Sequence, residues 1–169
     1  MKVRVNAVRL KLLGGDPEFY ETSVLPIPES LREELKLVFK EVEGCVVPMS
    51  FLPSRIDKVD DETGFECDLS HVHLEGLVPE ETSLTELARL GLDFAFLLRG
   101  ALLESRLPGP FTIIVSAHEP DLEFNIGPTC TVRFHRVRAR QVWLADDLEK
   151  YKEEAIAICS FDLPSLTPR

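Results

Sequence analysis

The sequence predicts an α+β protein: a largely antiparallel sheet of about six strands with two main helices packed on one face. Three observations carry this. The stretch Ser83 to Arg106 is apolar around most of a helical circumference, several strand-forming runs share the chain with it, and no helical pattern separates the strands that follow it. A chain of 169 residues, 44% hydrophobic and 28% charged, has the length and composition of one globular domain, taken as residues 1–169 with 162–169 as a loose tail.

In Ser83 to Arg106, Glu86, Arg89, Asp93 and Glu104 trace a narrow polar line, and leucines and phenylalanines fill the rest. Ser83 and Glu86 form a capping box, and Pro108-Gly109-Pro110 stops the helix. Gly91 and Gly100 each cost about 1 kcal/mol against Ala, which close approach to a sheet would offset. Arg89, Asp93 and Arg99 near the middle argue against a membrane span.

Lys2 to Leu12 alternates and predicts a half-exposed strand, ended by Gly14-Gly15-Asp16-Pro17. Pro28 to Gly44 sets Leu31, Leu35, Val38, Phe39 and Val42 on one face of an amphipathic helix. Cys45 to Phe51 reads as a short strand that Pro48 confines to an edge or bulge. Phe65 to Val78 alternates well enough for a strand. Phe111 to Ser116 predicts a buried strand and Thr129 to Val137 an alternating one, joined by a surface connection over 118–128. Asp146-Asp147 opens a helical turn through Tyr151, and Ala155 to Phe161 is the last strand. With helices on one side, the other face of the sheet is expected to be partly bare, its polar rows meeting water.

Net charge is −10, which repels phosphate backbones and anionic lipid, so nucleic acid and membrane are not expected partners. The N-terminus lacks the pattern of a secretory signal, which predicts a cytosolic protein. Cys45, Cys67, Cys130 and Cys159 show no CxxC pair and read as buried thiols.

Candidate chemistry is sparse. On a strand, Cys67, His71 and His73 would share a side, and His71 and His73 could ligate one zinc with Cys67, His118 or His135 completing the set, as in a small zinc-dependent enzyme. A Cys/His catalytic pair at Cys67 or Cys130 lacks a local nucleophile signature. No GxSxG, HExxH, P-loop or GxGxxG pattern is present, and the expectation is a protein without cofactor or stoichiometric metal.

Charge layout says more. Residues 57–81 hold nine acids (Asp57, Asp60, Asp61, Glu62, Glu66, Asp68, Glu75, Glu80, Glu81) against one base, Lys58. Asp146, Asp147, Glu149, Glu153 and Glu154 surround Trp143 and Tyr151. Such clusters either keep a surface soluble or form a docking face for a basic protein, with Trp143 and Tyr151 as aromatic anchors or as core. Arg133, Arg136, Arg138 and Arg140 form a basic block whose best partners are internal, namely those same carboxylates, rather than nucleic acid.

The segment CTVRFHRVRARQVWLADDLEKYKEEAIAICSF, about a fifth of the chain, resembles small acidic immunity proteins of bacterial polymorphic toxin systems. The resemblance runs through a strand, then Trp143-Leu144, Asp146-Asp147-Leu148-Glu149 and Tyr151. It implies a cytosolic, non-enzymatic protein that binds one cognate toxin and blocks its active site.

Overall fold

Alternating β-branched and aromatic runs build the centre of the molecule. The computed structural model describes residues 2–14, 25–35, 39–51 and 59–161. Three eight-residue strands, β5 (Phe111–His118), β6 (Thr129–Arg136) and β7 (Glu154–Phe161), lie antiparallel with β5 in the middle. The short strands β1 (Lys2–Val5) and β4 (Val72–His73) complete a five-stranded antiparallel sheet in the order β1-β7-β5-β6-β4. A separate hairpin joins β2 (Phe39–Val42) to β3 (Cys45–Pro48). Its two-residue turn needs φ > 0 twice, met by Glu43 at 50° and Gly44 at 78°.

One face of the sheet carries α4 (Leu84–Glu104), capped by Ser83, whose Oγ accepts from the Glu86 amide. Leu87, Leu90, Phe94, Leu98 and Leu102 bury there against Phe111, Ile113, Val115 and Phe134. Gly91 sits where a Cβ would lie 2.7 Å from Val115 Cγ1 and 2.8 Å from Cys130 Sγ, so its absent side chain sets the helix-to-sheet distance. Gly100 does not share that role, because a Cβ there meets nothing within 4 Å. Phe96 and Leu97 stay 47% and 40% exposed on the helix's other side. Among the described residues, no helix is long and apolar enough to cross a membrane.

Three local expectations need correction. The alternation of Lys2 to Leu12 is a strand only to Val5, after which α1 (Ala7–Leu13) begins. Asn6 makes the switch: its Oδ1 accepts from the Arg9 and Ile156 amides, and its Nδ2 donates to the Tyr151 and Glu154 carbonyls. Of the amphipathic helix expected to Gly44, α2 (Glu29–Leu35) is helical, residues 36–38 with Val38 lie outside the described residues, and Phe39 to Val42 belong to the hairpin. Phe65 to Val78 is not one strand. It holds α3 (Glu62–Leu69), capped by Asp61, whose Oδ1 accepts from the Gly64 amide, and only then β4.

What overrides strand alternation in α3 is tertiary. Beyond the two residues of β4, strand β6 would present unpaired polar groups at a sheet edge. Ser70 Oγ donates to the Phe134 carbonyl and accepts from the Phe134 amide, both at 2.9 Å. Glu66, fully buried, accepts from the Arg136 amide at 2.7 Å and the Val46 amide at 2.6 Å, tying β6 to the hairpin. Arg138 answers its charge with two hydrogen bonds of 2.7 and 2.9 Å, a bidentate pair.

The second face of the sheet is less bare than expected. Residues 137–151 fold over it, and Trp143, Leu144 and Tyr151 pack on a small cluster of Ile114, Leu148, Ile156 and Ile158.

Candidate binding surface

The connection from β5 to β6, residues 119–128, reads as ordinary surface chain but is a built projection. Asp121 and Ile126 exchange two backbone hydrogen bonds, both 2.9 Å, which closes a small loop. Asp121 Oδ1 accepts from the Glu123 and Phe124 amides at 3.0 and 3.2 Å, and Asn125 takes a left-handed φ of 54° that Asn tolerates. The closed loop turns its apolar residues outward: Leu122, Phe124 and Ile126 are 88%, 69% and 50% exposed.

This tip adjoins part of the acidic segment. A recess of about 300 Å³ lies between Ile126 to Thr129 on one side and Glu75, Val78, Pro79, Glu80 and Thr82 on the other. Residues 75–82 and 119–128 together carry six acids (Glu75, Glu80, Glu81, Glu119, Asp121, Glu123) and no lysine or arginine. Glu75 is structural, accepting from the Cys130 amide at 3.0 Å and pairing with His73 Nδ1 at 2.9 Å. Glu80, Glu81, Glu119 and Glu123 are exposed. An apolar tip with an acidic rim suits a partner that offers an apolar recess edged by cations, where burial supplies affinity and charge supplies rate and selectivity.

Three of the acids nearer the start of the segment, Asp61, Glu62 and Glu66, are put to internal use. Asp57 lies outside the described residues. Asp61 caps α3, Glu62 accepts a short hydrogen bond from Gln141 Nε2 that holds its carboxyl below the usual range, and Glu66 is buried. Asp60 and Asp68 are exposed. Around the aromatics, Asp147 caps the turn Leu148–Lys150, and Asp146 is exposed with its carbonyl accepting from Arg4. Tyr151 is part-buried, its hydroxyl accepting from the Ala145 amide, and Trp143 lies over the Arg133 guanidinium at 5.4 Å. Both rings therefore help to cover the sheet. Of the basic block, Arg138 pairs with Glu66 of the acidic segment, whereas Arg136 pairs at 3.1 Å with Glu41, which lies outside both acidic groups.

The premise that Cys67, His71 and His73 share one strand face fails, since Cys67 belongs to α3 and is buried. His71 and His73 do lie together, ring centroids 5.2 Å apart, but their Nδ1 atoms face the Asp68 carbonyl and Glu75. Among the described residues no group of three His, Cys, Asp or Glu side chains is placed to hold a metal ion. Burial pushes the thiols of Cys67 and Cys130 up to about 12, opposite to what a nucleophile requires.

Fold and surface thus define an α+β protein with an acidic, apolar-tipped projection at one end of its sheet. By sequence, the chain belongs to the family described as the uncharacterized protein PM0498 family, whose model matches residues 17–164. No curated protein and no solved structure gives a significant match.

Proposed function

We propose that the chain is a non-enzymatic, cytosolic binding protein, and specifically an immunity protein that occupies a basic cleft of a cognate toxin. The observation that carries the reading is the fixed acidic loop holding Leu122, Phe124 and Ile126 out to solvent. Exposed apolar side chains grouped this closely mark interaction sites. The exposed carboxylates beside them suit a cleft built to hold phosphates, which an acidic surface occupies as a phosphate mimic. The contact centre is thereby moved from residues 57–68, where Asp61, Glu62 and Glu66 have internal partners, to residues 75–82 and 119–128.

The test takes the C-terminal domain of whichever large secreted protein is found encoded beside this gene. Stopped-flow association should slow about 10-fold at low ionic strength for the pair Glu119→Lys and Glu123→Lys, with a weaker dependence of rate on salt. Unchanged association would remove this end from the interface. Failure of the unaltered protein to bind that domain would overturn the immunity reading itself.

A further inference from the structure

At the other end of the sheet, on the face opposite α4, lies a recess of about 450 Å³ that the protein-binding reading does not use. Strand register lines its floor in a way the sequence does not advertise. His135 is opposite Thr112, Thr112 is opposite Ser160, and Ser160 is opposite Lys2, so one straight row crosses β6, β5, β7 and β1. All four side chains line the recess. The next row toward the centre is Arg133, Ile114, Ile158 and Arg4, and Trp143 and Leu144 form the wall above it.

We propose that this recess binds a small organic carboxylate with an apolar or aromatic body and a hydrogen-bond donor at its far end. The volume is that of a small-molecule site. Its charge runs against the rest of the chain: Lys2, Arg4 and Arg138 line it against Asp146 alone, and with Arg138 neutralised by Glu66, two cations face one carboxylate. That is a modest positive balance in a protein of net charge −10. It suits a monoanion. Lys2 and Arg4 stand at the β1 side, where Arg4 Nη1 is kept at the rim by donating to the Asp146 carbonyl at 3.3 Å.

At the opposite end of the row, His135 Nδ1 lies 2.9 Å from the Arg136 carbonyl, which can only accept, so the ring proton is there and Nε2 is left as an acceptor. Burial keeps the ring neutral by lowering its pKa. An acceptor in a mostly apolar recess calls for a ligand N–H or O–H. Between the two ends stand the Thr112 and Ser160 hydroxyls, and either can donate to a carboxylate. The row spans about 14 Å, three strand spacings of about 4.8 Å, which the Lys2 and His135 side chains shorten to the length of one substituted ring.

The probe that matches these groups is 4-hydroxybenzoate, titrated into the full chain and read on the indole cross-peak of Trp143, the only tryptophan. Saturable binding with a Kd below about 1 mM is expected. Benzoate, which lacks the donor, should bind several-fold more weakly, and 4-hydroxybenzamide, which lacks the charge, about 10-fold more weakly. Lys2→Gln, an exposed change at a sheet edge, should weaken 4-hydroxybenzoate about 5-fold and leave the unfolding midpoint unchanged. No shift of the Trp143 signal, equal binding of the benzamide, or an unaltered Kd in Lys2→Gln would overturn the assignment. Tighter binding of phenyl phosphate would overturn the carboxylate class.

Discussion

The two ends of β5 are opposites in construction. Where β5 begins, near Phe111, buried side chains are drawn into hydrogen bonds within the protein: Glu66 is held by two amides and Arg138, and Ser70 closes the β6 edge. Where β5 ends, beyond His118, the loop satisfies its own backbone through Asp121 and sends its apolar side chains into water. Polar groups face inward at one end and apolar groups outward at the other, the reverse of what solvation alone favours at both. The first inversion is repaid inside the chain by hydrogen bonds. The second has no compensation among the described residues, which is why it is assigned to a partner.

The sharpest way to break this contrast is at Glu66. Glu66→Ala removes the acceptor for two amides and strands the Arg138 charge, and should cost about 3–5 kcal/mol in urea unfolding. A cost under 1 kcal/mol would mean that water replaces the carboxylate and that this end is not held as described. Next in size are the two helix glycines. Gly91→Ala forces Val115 or Cys130 to move and should destabilise by about 1–3 kcal/mol. Gly100→Ala enters open space and should stabilise by up to about 1 kcal/mol. Equal effects of the two would show that α4 does not approach the sheet at Gly91.

A pH profile tests the first of the two ends. His135 has a lowered folded pKa because burial disfavours its charged form, so the unfolded chain takes up a proton first as pH falls below about 6.5. Stability should therefore decline from that pH downward. Glu41, lowered by its hydrogen bond to Arg136, adds a loss that begins only as pH falls through about 4.5. In His135→Gln the upper part of the decline should disappear and the lower part remain.

Much of this plan is legible in the sequence because it is local. The apolar circumference and capping box of Ser83 to Glu104 depend on neighbours within one turn, and β5, β6 and β7 are compact runs of strand formers. Phe65, Cys67 and Leu69 alternate as a strand would, yet α3 wins because Glu66 must reach Val46 and Arg138, a requirement no local pattern displays. Asn6 was a readable signal, a cap residue inside an alternating run. So was Asp-Leu-Glu-Phe-Asn-Ile at 121–126, where three large apolar residues stand in a connection otherwise made of acids, prolines, a glycine and an asparagine. The row of His135, Thr112, Ser160 and Lys2 had no such signal, since it exists only once four strands are in register.

The smallest expected effect on stability belongs to the loop, and it bears on the central claim most directly. Replacing Leu122, Phe124 and Ile126 together by Ser should leave the free energy of unfolding within about 0.5 kcal/mol of the unaltered protein, as for exposed positions. It should also weaken binding of the toxin domain proposed as partner by at least about 100-fold, as loss of an interface centre does. Both are measured on one preparation, by urea titration and by calorimetry. A loss of more than about 2 kcal/mol in stability, or binding that survives unchanged, would contradict the assignment of this loop as the docking surface.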